Sequence, residues 1–409
     1  MKVAFSRRDR FLALFRKVRG NLGGRGPLRG AYRKVAEYQQ NASPSLKGCA
    51  YGPVVESSRV DRGFPGWSKG FPPDFFANQQ TIDSPECWVV DLPSAKVFTH
   101  RGSILSPDHR LLFDLSPQHS LRGTFEEVYR HHAMRRLVFP PREKVEGTVL
   151  SLLTPAGGNF FHWMTEVLPR LQLARWALPD LFERIELCLV NRDNGFAAKT
   201  LSWLGVPREK IRVARDAEYL QADSLIVPSL PGVTNATPEW VLAWIRETFL
   251  PMAKAPDSFQ SAPWIYVARG KSPRRRILNE DEWIRHLESL GFTTIYPEDF
   301  SLEEQIWIFA HAEWVVGAHG AGLTNLIWCQ SGTRVWEIFL NDHFTPAYWS
   351  ISNTLGLSYH VARYSLSDSG TTSPRQVGQD VSLPVEEAGR DGAAFLERIP
   401  FCAGSGDRK

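Results

Sequence analysis

Long apolar runs are missing from this chain. No stretch approaches the roughly 18–20 consecutive apolar residues that a membrane-spanning helix needs, and the N-terminus lacks both a continuous apolar h-region and a small-residue cleavage site. The expected location is therefore the cytoplasm. Cysteine is scarce and unpatterned: Cys49, Cys87, Cys188, Cys329 and Cys402 make no C-x-x-C pair and no regular spacing, which argues against a zinc site and against a disulfide framework. A reducing compartment is the simplest reading. Also absent are a G-x-G-x-x-G fingerprint, a phosphate loop ending in Gly-Lys-Ser/Thr, an H-E-x-x-H pair and any D-x-D. Those absences speak against dinucleotide binding of the common kind, Walker-type nucleotide chemistry and a zinc hydrolase.

Acidic residues are nearly missing from the first 34 positions, where eleven Lys and Arg face only Asp9. The remainder holds 37 basic and 43 acidic side chains, a balance of −6, so the overall +4 belongs to an N-terminal arm and says little about the body. Within that arm Phe11, Leu14, Phe15 and Val18 recur at helical spacing, with Arg7, Arg8, Arg10, Arg16, Lys17 and Arg19 largely elsewhere on the wheel. Ser6 with Asp9 makes a capping box and Gly20 a stop. A short basic amphipathic helix is predicted, in peripheral contact with an anionic membrane surface through residues 6–19; a helix packed on its own protein, or a solvated tail, is the plain alternative. Nucleic acid is not expected as a partner, because residues 21–34 carry only Tyr32 to stack on bases.

What is present is ordinary globular composition over a length that exceeds one core: 409 residues, 43% hydrophobic and 22% charged. Residues 1–45 are the basic arm and linker. In the expected first domain, 46–255, Cys87 to Ser116 reads as a small β-meander broken by Pro, Gly and Asp. It is followed by βα alternation through "TVLSLLTPAGGNFFHWMTEVLPRLQLARW", "ELCLVN", "IRVA" and "SLIVP". After the break "PMAKAPDSFQSAP", a cleaner series occupies 256–365: strands "WIYVAR", "FTTIY", "WVVGA", "RVWEIF" and "SYHVAR", with a helix capped by Asn279 and another by the Ser301–Glu304 box. Five strands with intervening helices predict a doubly wound parallel sheet, and two such units in tandem predict a bilobed α/β protein with its site in the crevice. The tail, 366–409, is polar until "AAFLERI", a late helix that would dock back on the N-terminal domain.

The stretch "VVGAHGAGLTN", Val315 to Asn325, places three glycines and a histidine at a strand-to-helix junction. Its G-x-x-G-x-G spacing is neither a dinucleotide fingerprint nor a Walker loop. The N–H groups of Gly320, Ala321 and Gly322 at a helix start would face an anion, His319 would donate to a phosphate oxygen, and Thr324 or Asn325 would cap the helix or bond the ligand. The alternative is a tight turn whose histidine is merely satisfied. Upstream, "ARGKSPRRR" puts Arg269, Lys271, Arg274, Arg275 and Arg276 past the carboxyl end of a parallel strand, where open α/β sheets bind ligands. Guanidinium groups grip diphosphates bidentately, although a charge run is commonly only a solvated loop. Glu337, near the end of the next strand, is a candidate for ribose hydroxyls or a plain strand-end charge. In the first domain His162 and Glu166 share a helix face behind Gly157 and Gly158. A carboxylate-held histidine is a good general base near neutral pH; the bland reading is an i,i+4 pair, and no third metal ligand is visible.

Four ordered blocks, "NFFHWMTEVLPRL", "ARGKSPRRRILNEDE", "FSLEEQIWIFAHAEWVVGAHGAGLTNLIWC" and "GTRVWEI", together resemble glycosyltransferase family 61, inverting enzymes with a GT-B-type pair of Rossmann-like domains. The resemblance implies transfer of a sugar from a nucleoside-diphosphate donor, usually a UDP-sugar, to a glycan hydroxyl. By motif, Arg269, Arg274 or Arg275, His319, Gly320, Ala321, Gly322, Thr324, Asn325 and Glu337 would face the donor. His162 and Glu166, with Gly158, Asn159 and Trp163, would face the acceptor. Ala268 and Gly270 depart from the usual start of the arginine block, which leaves open which arginine holds which phosphate. His162 is assigned as base, oriented by Glu166, with the reverse assignment open. No cofactor is expected, and the lack of D-x-D argues against an obligatory metal on the diphosphate. The implied setting is bacterial capsule, exopolysaccharide or lipopolysaccharide assembly on a lipid-linked acceptor at the inner membrane face. Two rivals follow. A nucleotide-sugar epimerase or dehydrogenase would show the missing glycine fingerprint; a non-catalytic nucleotide- or glycan-binding protein on a GT-B-like scaffold would lack the base, yet His162 and Glu166 are both present.

Overall fold

The computed structural model describes residues 26–71, 74–116, 118, 125–257, 262–270, 275–340, 344–364 and 380–397. The expected helix at 6–19 lies outside the described residues. Contacts divide the chain into an N-terminal unit, Met1–Val60 with Ile82–Ala243, and a C-terminal unit, Asp61–Thr81 with Trp244–Lys409. Among the described residues no helix is long and apolar enough to cross a membrane.

In the N-terminal unit the long strand Tyr219–Pro228 joins two kinds of sheet. On one side it pairs in parallel with Arg142–Ser151, which continues in parallel to Ile185–Val190 and Ile211–Val213. On the other it pairs antiparallel with Cys87–Pro93 and Lys96–Phe98, the first strands of the predicted meander, which proceeds through Ser103–Leu105 to Leu111–Leu112. Alternation drives this arrangement: Val90, Leu92 and Val97 of the meander share one buried cluster with Val149, Leu189, Leu225 and Val227 of the parallel strands. The helical segment that follows Ser151 starts at Asn159, whose side chain accepts from the Phe161 amide at 2.9 Å. It passes through a π turn at Trp163–Val167 before settling into Leu168–Ala177. From Trp163 to Ala174 every residue is buried. Such a helix belongs to the interior rather than to a surface.

The C-terminal unit is a six-stranded parallel sheet in the order Thr293–Ile295, Trp264–Val267, Trp314–Ala318, Arg334–Phe339, Ser358–Arg363, Trp67–Lys69. Its first five strands, numbered along this part of the chain, run 2-1-3-4-5, so the order reverses between Trp264–Val267 and Trp314–Ala318. The sixth strand was not expected. Trp67–Lys69, read from sequence as part of the 46–255 domain, pairs in parallel with Ser358–Arg363. Trp283, Trp314 and Trp336 anchor the core on one face of the sheet. The late helix Val385–Glu397, expected against the N-terminal domain, packs in this unit: Lys69 Nζ donates to Glu387 and Asp391, and the Tyr364 hydroxyl to Asp391. The Ser301–Glu304 box forms as read. Asn279 sits at its helix start but its side chain exchanges hydrogen bonds with the backbone of Leu383 instead of capping.

Candidate functional site

Where strand order reverses in an open parallel sheet, adjacent crossovers leave in opposite directions and expose a crevice at the carboxyl ends of the strands. In the C-terminal unit those ends are Val267 and Ala318, followed by Ala268-Arg269 and His319-Gly320. Arg269 ties them together. Its Nη1 donates to the His319 carbonyl at 2.9 Å and its Nε to the Arg275 carbonyl at 3.0 Å, while its own amide donates to Glu280 Oε1 at 2.7 Å. A Cβ on Gly320 would sit 2.0 Å from Arg269 Nη1, one on Gly317 2.9 Å from Leu323, and one on Gly322 3.0 Å from Val267. Close approach, by the chain's own side chains, is what requires these glycines; Gly320 has φ of 175°, extended backbone open to any residue.

Ala321 opens a 3-10 helix, Ala321–Trp328, with Gly320 in the capping position, so neither Thr324 nor Asn325 caps it. Asn325 is fully buried. Its amide donates to Gln305 and to the Gly322 carbonyl and its oxygen accepts from the Trp328 indole at 3.0 Å. Thr324 is likewise buried, beside the Tyr348 hydroxyl, which itself donates to the Gly320 carbonyl at 2.6 Å.

His319 is held on three sides. Its ring stacks on Phe339 at 4.6 Å, Tyr348 flanks it at 5.4 Å, and Nδ1 lies 2.5 Å from Glu337 Oε1. Glu337 is completely buried, and its other oxygen accepts from the Tyr359 hydroxyl at 2.5 Å. Burial and the neighbouring carboxylate push the Tyr359 phenol far above its ordinary value, so it remains a donor. With Glu337 accepting from both, Nδ1 carries the ring hydrogen and Nε2 points away from the carboxylate. Both oxygens of Glu337, expected toward a ribose, are thus engaged inside the fold.

Arg269, Arg275, Ala318, His319, Ile338, Leu340 and Val381 line a half-open concavity whose volume, about 270 Å³, includes open solvent. Arg275 enters it with φ of +56°, in the left-handed region. Its guanidinium has no hydrogen-bond or ion-pair partner among the described residues. Desolvation lowers the pKa of Arg275; for Arg269 desolvation does the same, and the Arg275 charge lowers it further. Two cations pressed together beside an apolar wall favour the entry of an anion. Arg274 and Lys271 lie outside the described residues.

The N-terminal unit holds a second histidine–carboxylate pair, as the helical spacing predicted. His162 Nδ1 and Glu166 Oε1 are 3.0 Å apart, an ion-pair contact without the alignment of a hydrogen bond, with side chains 16% and 7% exposed. Trp163 is fully buried and donates to Thr200, which makes it part of the core. Asn159 is exposed at the helix start, and the Gly158 carbonyl accepts from Arg192 at 3.0 Å. Sequence reading missed Arg170, one further step along the same four-residue spacing. It is buried, donates to the carbonyls of Ser151, Leu153 and Pro228, and is drawn electrostatically to Glu166, while burial pulls its pKa down to about 10. The signal was there in "HWMTEVLPR": Arg170 follows Glu166 at a four-residue step inside a helical stretch rich in apolar residues.

A parallel sheet with a cationic concavity at its reversal point defines an α/β unit of the ligand-binding kind. Residues 160–336 match the family model for Glycosyltransferase 61, the family that the four sequence blocks resemble. A β-1,2-xylosyltransferase of Arabidopsis thaliana is 26% identical over 117 residues, 25% of this chain and 22% of that protein. One of Oryza sativa subsp. japonica is 38% identical over 61 residues, 15% of this chain and 11% of that protein. The chain therefore spans about a fifth and a tenth of the relatives it matches. Among solved structures, the dodecameric iron-containing heptosyltransferase TibC aligns over 79% of each chain at 13% identity, with a TM-score of 0.27. Among the described residues no cluster of three or more His, Cys, Asp or Glu is placed to hold a metal ion.

Proposed function

We propose that this chain is an inverting glycosyltransferase of GT-B type that moves a sugar from a nucleoside-diphosphate donor to a glycan hydroxyl. The observation that carries the reading is Arg275, a desolvated guanidinium lining the concavity at the sheet reversal with His319 beside it. The family match and the two xylosyltransferase relatives support the reaction class, and a xylose-bearing UDP donor is the first to assay. In the step, the acceptor oxygen bonds to the anomeric carbon as the bond from that carbon to the diphosphate breaks. The acceptor proton passes to His162, oriented by Glu166. The charge gathering on the departing diphosphate is met by Arg275, with His319 held in place by Glu337. In this proposal protein cations take the place that a diphosphate-bridging metal has elsewhere.

Transfer from UDP-sugars to glycan acceptors, with and without EDTA, tests the reading. Product is expected from one donor, insensitive to EDTA. His162→Ala is expected to lower kcat at least a hundredfold while leaving UDP affinity within about twofold. In thermal-shift measurements against UDP, GDP, CMP and NAD at matched concentration, stabilisation by NAD alone would defeat the transferase reading. Tight UDP binding without turnover of any donor would assign the chain to the non-catalytic alternative.

A further inference from the structure

The residues that fix Arg275 come from a segment beyond the family-matched region. Asp380 Oδ1 accepts from the Arg276 amide at 2.9 Å, and Oδ2 accepts from Arg276 Nε at 2.9 Å and Nη2 at 2.6 Å. The next residue continues the contact: Val381 donates to the Arg276 carbonyl at 2.9 Å and accepts from the Leu278 amide at 2.8 Å, a parallel bridge centred on Ile277. Leu383 and Asn279 complete the zip. Val381 and Leu383 join the buried core of the C-terminal unit, and Val381 also forms part of the wall of the concavity.

Arg275 is thus gripped on both sides, by Arg269 Nε on its carbonyl and by Asp380 on the residue after it. Its left-handed backbone is costly for a residue with a Cβ and persists where surrounding contacts over-determine it. We propose that Asp380 is a positioning residue: its clasp on Arg276 holds Arg275 in the conformation that presents the guanidinium to the diphosphate of the donor, so that residues 380–383 complete the donor site. The inference rests on the donor reading given above. It also explains why a polar segment far along the chain returns to this place: the arginine block, departing from the usual family pattern at Ala268 and Gly270, is held by a partner from outside the matched region.

The Arg276–Asp380 pair is largely solvent-exposed, with side chains 57% and 28% accessible. Exposed ion pairs contribute little to global stability, so Asp380→Asn is expected to fold. The test is a calorimetric double-mutant cycle on the full chain with UDP and, separately, inorganic diphosphate as probes. Arg275→Ala is expected to weaken both at least tenfold and Asp380→Asn three- to tenfold, whereas Asp380→Asn in the Arg275→Ala background changes neither by more than about 1.5-fold. Asp380→Glu should recover part of the loss. An additive cycle, or undiminished affinity in Asp380→Asn, would overturn the clasp while leaving the donor site intact. Failure of the unaltered protein to bind either probe would overturn both readings.

Discussion

Gly317 at the end of its strand and Gly320 and Gly322 in the turn after Ala318 are fixed by what lies against them rather than by unusual torsion angles. A methyl on Gly320 would collide with Arg269 Nη1, and the displaced guanidinium would release the His319 carbonyl. Gly320→Ala is therefore expected to cost about 1–3 kcal/mol through the lost Arg269–His319 hydrogen bond and to weaken UDP binding. Gly158→Ala, where an added methyl meets nothing within 4 Å, is the control and should shift stability by less than about 0.5 kcal/mol. Urea-unfolding midpoints of the two variants decide it; equal effects would mean that the Arg269 contact is unimportant. Tyr359 supports the site in a different way. Removing its hydroxyl leaves one oxygen of a fully buried carboxylate unsatisfied, so Tyr359→Phe should lose about 1–3 kcal/mol. A stability unchanged from the parent would show that Glu337 finds another donor.

At this scale the sequence was legible wherever partners are local. His162 and Glu166 could be paired from a four-residue spacing, and their atoms are 3.0 Å apart. The His319–Glu337 pair could not, because it depends on a parallel register that sets Gly317 opposite Glu337. The clasp of Asp380 on Arg276 spans still more chain.

Elements show the same division. Strands Trp314–Ala318, Arg334–Phe339 and Ser358–Arg363 have the bounds that their apolar runs implied, and the Ser301–Glu304 box starts its helix. Trp67–Lys69 was unreadable: three residues amid glycine and proline become a strand only because the edge at Ser358–Arg363 offers them hydrogen-bond partners. The turn His132–Arg135 carries a pH consequence. His131 Nδ1 accepts from the Ala133 amide, so that ring is seated neutral. Burial holds His131 down to about 3, His132 to about 4 and, in the strand Ser358–Arg363, His360 to about 4. Below the unfolded value near 6.5, the unfolded chain binds protons that the folded chain refuses. Stability should therefore fall with acidification from pH 6.5 toward 4, by about 1.4 kcal/mol per pH unit for each histidine. Asp114, raised by burial to about 6, takes up a proton in the folded state first and offsets one histidine over part of that window. Equilibrium unfolding at pH 7, 6 and 5 should give a steadily lower free energy; a flat profile would mean that these rings become charged without unfolding.

For the whole molecule, composition and periodicity sufficed to predict α/β construction with parallel strands, and five strands of the parallel sheet in the C-terminal unit follow from its five apolar runs. What stayed hidden was membership. Asp61–Thr81 and the late helix Val385–Glu397 both join the C-terminal unit through the strand pairing of Trp67–Lys69 and the packing of Trp67, Val385 and Ala388 on its core, with Lys69 paired to Glu387 and Asp391, contacts that no local pattern announces. A single unit assembled from two stretches of chain places Arg275, His319 and Val381 around one concavity. The most direct test is a crystal structure of the protein soaked with UDP at saturating concentration. The diphosphate is expected at that concavity, with oxygen atoms within hydrogen-bond distance of the Arg275 guanidinium and His319; a nucleotide bound elsewhere, with Arg275 untouched, would overturn the donor site.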